Sequence, residues 1–127
     1  MKNIIIPSSE RTPQIDFDFT TGRLSIKGES YPENAPSFFG PLLGAIRSYL
    51  QMRPDVDIFM DIKMDYFNSS SAKALMNLFQ IMDEAAEAGV NIVTRWHYND
   101  DDETMREFGE DFSEDLKCLC FEMVRIG

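Results

Sequence analysis

Two periods of hydrophobic and polar residues run along this chain, and the place where one replaces the other is its most informative stretch. From Val56 to Met64 (VDIFMDIKM), Val56, Ile58, Met60, Ile62 and Met64 fall on one side, with Asp57, Phe59, Asp61 and Lys63 on the other. A period of two predicts a half-buried strand. From Ala72 onward, Ala72, Leu75, Met76, Phe79, Met82 and Ala86 recur at threes and fours, as on one face of a helix. The change falls at Asn68, Ser69, Ser70 and Ser71. Hydroxyls there are expected to cap the helix, because its first N–H groups have no partners inside it. Those N–H groups and the helix dipole also favour an added anion.

The remaining elements follow from the same two periods. Ile4 to Ile6 is a short apolar run ended by Pro7, expected to be an edge strand. Ile15 to Phe19 and Arg23 to Lys27 alternate around Thr20-Thr21-Gly22, which predicts a hairpin. The polar, turn-rich stretch Gly28 to Pro36 leads to a helix opening at Pro36 or Ser37 and running to about Met52. Its stripe is Phe38, Phe39, Leu42, Leu43, Ile46, Tyr49 and Leu50. Pro41 fits a helix only within the first turn, which moves the expected regular start to Phe38 or later. Gly89 is expected to cap the central helix at its C-terminus. Asn91 to Trp96 is strand material leading into His97 and Tyr98, a third helix is expected from Glu103 to about Phe112, and a last strand from Leu119 to Ile126. Strands alternating with helices predict an α/β protein: a mixed β-sheet with helices packed against it, its central strands parallel through right-handed crossovers.

The 127 residues suit one domain with a real core, and 43% hydrophobic with 27% charged residues excludes global disorder. A net charge of -10 argues against nucleic acid or an anionic membrane as partner and suits a partner carrying basic groups. No apolar run is long enough to span a bilayer, and the N-terminal apolar stretch is too short for a secretion signal, so a cytoplasmic protein is expected. Cys118 and Cys120, two residues apart, are expected as reduced thiols packed as small apolar groups. With His97 the only histidine, a closed zinc site is not expected, and neither is a cofactor.

Candidate chemistry is sparse. Asp61 and Asp65 bracket the expected strand end and could hold magnesium or activate a hydroxyl, but a solvated strand end explains them as well. His97 between Trp96 and Tyr98 could serve as a general base; packing or a contact surface is the simpler expectation. Phosphate-binding glycine loops and nucleophile elbows are absent from the sequence. The serine run has a plain explanation as a cap, worth about 1 kcal/mol.

Three motifs change this balance. Tyr31 to Asn34 (YPEN), Tyr66 to Met76 (YFNSSSAKALM) and Arg95 to Tyr98 (RWHY) together resemble the SiaC-type regulatory phosphoproteins, bacterial proteins with a fold like that of the anti-sigma-factor antagonists, the STAS domains. The resemblance implies a STAS-like sheet and a non-enzymatic partner switch. A serine/threonine kinase would phosphorylate one hydroxyl at the start of the helix after the central strand, and a metal-dependent serine/threonine phosphatase would remove it. The unphosphorylated form would bind and activate a diguanylate cyclase in cyclic-di-GMP and biofilm signalling. Carried over residue by residue, the modified position falls on Ser69, with Ser70 and Ser71 left open as neighbours. Tyr31, Asp65, Tyr66, Phe67 and Asn68 would form the docking surface around it. Asp61 and Asp65 would then stand close to the added phosphate and oppose it. Three other readings compete: a small enzyme using Asp61, Asp65 or His97, an anti-sigma-factor antagonist acting in transcription control, and an obligate structural subunit with its exposed apolar residues covered.

Overall fold

The order of elements in the computed structural model, which describes Met1–Gly127, is the order that the two periods predict. The strands are β1 (Ile4–Ile6), β2 (Gln14–Asp18), β3 (Arg23–Ser30), β4 (Ile58–Phe67), β5 (Ile92–Asn99) and β6 (Cys120–Ile126). The helices are α1 (Ala35–Gln51), α2 (Ser69–Glu87) and α3 (Glu103–Glu114). One six-stranded sheet has the strands in sequence order, antiparallel from β1 to β3 and parallel from β3 to β6. Each parallel step is bridged by one helix. Right-handed crossovers that advance in one direction put all three helices on one face.

That face holds the core. Leu24 and Ile26 of β3, Ile58, Met60, Ile62 and Met64 of β4, and Ile92 and Trp96 of β5 point into it. They meet Phe39, Leu42 and Ile46 of α1 and Leu75, Leu78, Phe79 and Met82 of α2. The opposite face of the sheet stays open and carries charge, including Asp16, Arg23, Lys27, Asp61 and Lys63. No helix is long and apolar enough to cross a membrane.

Three expectations need correction. Pro41 lies inside α1, not in its first turn. The helix begins at Ala35, where the Asn34 side chain accepts from Ser37 N at 3.1 Å. Burial of Phe39, Leu42, Ile46, Tyr49 and Leu50 outweighs the hydrogen bond that proline removes. Gly40 before it has no Cβ to clash with the proline ring. Secondly, β4 runs three residues beyond Met64, which puts Asp61 in mid-strand, not at the strand end. Thirdly, Cys118 and Cys120 are free and exposed, not packed. The chain reaches β6 by another means: Asp83 of α2 accepts from the backbone N–H groups of Lys117, Cys118 and Leu119, at 3.1, 2.8 and 2.8 Å.

The C-terminal third is fastened through Trp96. Its indole Nε1 donates to Met105 O of α3 at 2.9 Å. A Cβ at Gly109 would stand 2.5 Å from Trp96 Cδ1, so only glycine lets α3 lie this close. At the other end of α2, Gly89 adopts φ +100 just beyond the helix, as its expected capping role requires.

The Asp83 contact makes a pH-dependent prediction. Partial burial pushes its carboxyl pKa up, but the N–H groups of Cys118, Leu119 and Lys117 and the Lys117 charge outweigh this and hold it below the ordinary 3.8. A depressed folded-state pKa gives stability that is present above the unfolded value and lost as pH falls through the folded one. Asp83→Ala should cost about 1–3 kcal/mol at pH 7. The gap to the parent chain should close below about pH 4, measured by urea denaturation followed by circular dichroism.

Candidate functional site

The site is built where β3 and β4 end and α2 begins. β3 and β4 pair in register from Arg23↔Phe59 to Gly28↔Met64, and resume at Glu29↔Tyr66. Asp65 is therefore an extra residue in β4, a bulge. Gly28, opposite, has φ +119, a conformation open to glycine at little cost. The bulge shifts the alternation by one place: Tyr66 turns outward, 51% exposed, and Phe67 turns into the core, 6% exposed.

This removes Phe67 from the expected docking surface. Its ring lies 4.8 Å from Phe108, 6.1 Å from Trp96 and 6.2 Å from Phe112, between the sheet and α3. Tyr66 instead meets Tyr31 edge-on, ring centroids 5.9 Å apart, and the pair stands at the surface. Asp65 is exposed and held by Lys63 Nζ at 3.1 Å.

Asn68 alone separates strand from helix. Its backbone is extended (φ -87, ψ 177), and its Oδ1 accepts from Ser71 N at 2.9 Å. The serines that follow are already the first turn of α2, and they divide sharply. Ser69 and Ser70 are exposed, and their N–H groups have no acceptor inside the helix. Ser71 is wholly buried. Its hydroxyl donates to the Ser30 carbonyl at 3.1 Å, which leaves the Ser30 hydroxyl to donate to Ser71 Oγ at 2.7 Å. Ser71 is thereby corrected as a candidate for modification, since no enzyme reaches a sealed oxygen. Ser30 also accepts from Asn68 N at 3.0 Å. Alternation in the sequence ends at Lys27, whereas β3 runs on to Ser30. Continuing the inward set Leu24, Ile26 by twos would have pointed to it.

The other candidates lie apart from this mouth. Asp61 and His97 sit on the open sheet face, where Asp61 Oδ1 is 2.8 Å from His97 Nε2 and 3.4 Å from Arg95 Nε. Arg95 and Arg23 also lie over the Phe59 ring, at 4.4 and 4.3 Å. Six residues of strand, about 20 Å, separate Asp61 from Phe67, so Asp61 does not oppose a charge on Ser69 at close range. Asp61 and Asp65 engage different cations and do not converge on one point.

The α/β fold thus sets an exposed serine in the first turn of α2, three residues after the exposed Tyr66 and its half-buried neighbour Tyr31, on a helix mouth held by buried hydroxyls. The chain belongs to the SiaC family of regulatory phosphoproteins, whose family model matches residues 6–126. It is 37% identical over 117 residues to an uncharacterised protein of Pseudomonas aeruginosa (strain UCBPP-PA14), covering 91% of this chain and 90% of that protein. The fold matches the crystal structure of apo-SiaC from Pseudomonas aeruginosa at a TM-score of 0.88, with 34% identity over 98% of this chain and 99% of the other. It also matches the SiaC chain in the crystal structure of the diguanylate cyclase SiaD in complex with its activator SiaC from the same organism. There the TM-score is 0.90, with 33% identity over 97% and 99% of the two chains.

The bulge generates a contrast between neighbours. Phe67→Ala should cost about 3–5 kcal/mol of stability, as for a buried aromatic. Tyr66→Ala should stay within about 1 kcal/mol of the parent chain, because its ring is half exposed. Chemical denaturation of the two variants side by side checks both.

Proposed function

We propose that this chain is a non-enzymatic partner switch acting as one domain over residues 1–127 in the cytoplasm. Unphosphorylated, it docks on and activates a diguanylate cyclase, and so raises cyclic-di-GMP in biofilm signalling. A serine/threonine kinase adds phosphate at Ser69, and a metal-dependent serine/threonine phosphatase removes it. The observation that carries this reading is the exposure of Ser69 at the start of α2, next to the Tyr31–Tyr66 pair. Membership of a family of regulatory phosphoproteins supports it, as does the existence of a SiaC bound to a cyclase as its activator. The docking surface comprises Ser69, Tyr31, Tyr66, Asp65 and the flank of Asn68. Ser70, equally open, is the neighbour to test.

The switch works through charge. A phosphate adds about 1.5 to 2 negative charges and strong acceptor oxygens. The helix mouth tolerates them through its unpaired N–H groups and its dipole. A partner surface packed on the neutral serine does not, since burying a dianion against it costs desolvation and repulsion. The fold therefore survives modification while docking is lost.

Ser69→Ala should remain bound to the cyclase of its own cell in the presence of kinase and ATP. Ser69→Asp should bind it roughly a hundredfold more weakly, a loss of about 2.7 kcal/mol. Titration calorimetry with the purified proteins reads both. Equal affinity of the two variants would overturn the proposal, and so would a phosphate localised by mass spectrometry away from Ser69.

A further inference from the structure

We propose that the buried Ser30–Ser71 hydroxyl pair is the positioning device of the docking surface, holding Tyr31, Tyr66 and Ser69 in one arrangement that the partner reads. The proposal rests on the functional reading of Ser69 given above. Three separate chain segments supply that surface: the end of β3, the end of β4 and the first turn of α2. They meet at one residue. Ser30 accepts through its carbonyl from Asn68 N and from the Ser71 hydroxyl, and its own hydroxyl bonds Ser71 Oγ. Ser30 immediately precedes Tyr31, Asn68 immediately precedes Ser69, and Ser71 stands two places further on.

Capping does not explain the pair. Asn68 Oδ1 already satisfies the Ser71 N–H, so the Ser71 hydroxyl is surplus to it. Gross stability does not explain it either. Two hydroxyls at 0% exposure must be desolvated, and their mutual bonds return little more than that cost. What directional bonds add, and two alanines would not, is a fixed angle and register between strand end and helix. Tyr31 N donates to Arg11 O at 2.8 Å, which secures the strand end from its other side. The helix mouth is secured by Ser30.

The test uses the full chain, unphosphorylated, and the diguanylate cyclase of its own cell. Ser30→Ala, Ser71→Ala and the double variant are compared with Asp83→Ala, a stability control twelve residues and about 18 Å further along α2. We expect each hydroxyl variant to bind the cyclase about tenfold more weakly and to exchange the Asn68 and Ser71 amide hydrogens at least tenfold faster. The double variant should be no weaker than Ser71→Ala, which already removes both hydroxyl bonds. Asp83→Ala should bind with the parent affinity despite its lower stability. Parent affinity in both hydroxyl variants would overturn the proposal, and so would an equal loss in Asp83→Ala. Should Ser71→Ala fail to fold, Ser30→Ala carries the test, since it keeps the carbonyl and both bonds to it. Ser69→Asp in the same series separates two failures. Release by Ser69→Asp with unchanged binding in the hydroxyl variants removes the positioning role alone. Unchanged binding by Ser69→Asp removes the site reading, and the positioning role with it.

Discussion

One residue too many in β4, opposite Gly28 of β3, decides how the chain enters its central helix. Up to Met64 the even-numbered residues of β4 face the helices. Were Asp65 paired as an ordinary strand residue, Tyr66 would continue that series and be buried, and Phe67 would face the open side. With it, an aromatic ring fills the space under α3, a second ring reaches the surface, and Asn68 arrives within hydrogen-bond distance of the Ser30 carbonyl. The serine presented to solvent, the serine sealed beneath it and the paired tyrosines beside it all follow from that shift.

Charge is distributed as unevenly as packing. Between Asp100 and Asp115 nine carboxylates stand against Arg106 alone, and the chain's net charge is -10. Arg106 is taken up by Glu103 and Glu110 on the same helix. The apolar side of that helix, through Phe108 and Phe112, lies against Phe67, one residue from the helix cap. The phosphate we propose at the mouth of α2 would join a molecule that is already strongly negative, with its most acidic segment packed close by. At physiological ionic strength such fields fade within about 8 Å, so the added charge is felt by whatever is docked there and weakly elsewhere.

The architecture was largely legible because its central elements carry periods, twos from Val56 to Met64 and threes and fours from Ala72 to Ala86, although Val56 lies before β4 and both Val56 and Met76 are exposed. The parallel direction of the central strands followed from crossover handedness. The misreadings have common causes. A bulge looks in sequence like the end of alternation, which makes Asp61 look like a strand-end residue; nearness to Ser69 along the chain points Phe67 to the docking surface, and the bulge turns it inward. Local propensity alone puts Pro41 at the helix start, and it is overridden by the buried side chains of α1. The thiols of Cys118 and Cys120 were expected to pack, but the approach to β6 is organised by a carboxylate thirty-four residues away from its first contact. The exposed serine could be found from capping rules and family likeness. Its buried partner could not, because Ser30 and Ser71 are forty-one residues apart and only the folded sheet joins them.

Trp96, the only tryptophan in the chain, is 1% exposed, with its indole N–H on α3 and its ring against Gly109. Its ring also lies 6.1 Å from Phe67, the residue before the helix cap. The molecule thus carries an intrinsic optical probe at the junction between the start of α2 and the acidic helix α3. A shift of its emission toward the red on phosphorylation or docking would mark water reaching that junction, and unchanged emission would mark a switch confined to the surface.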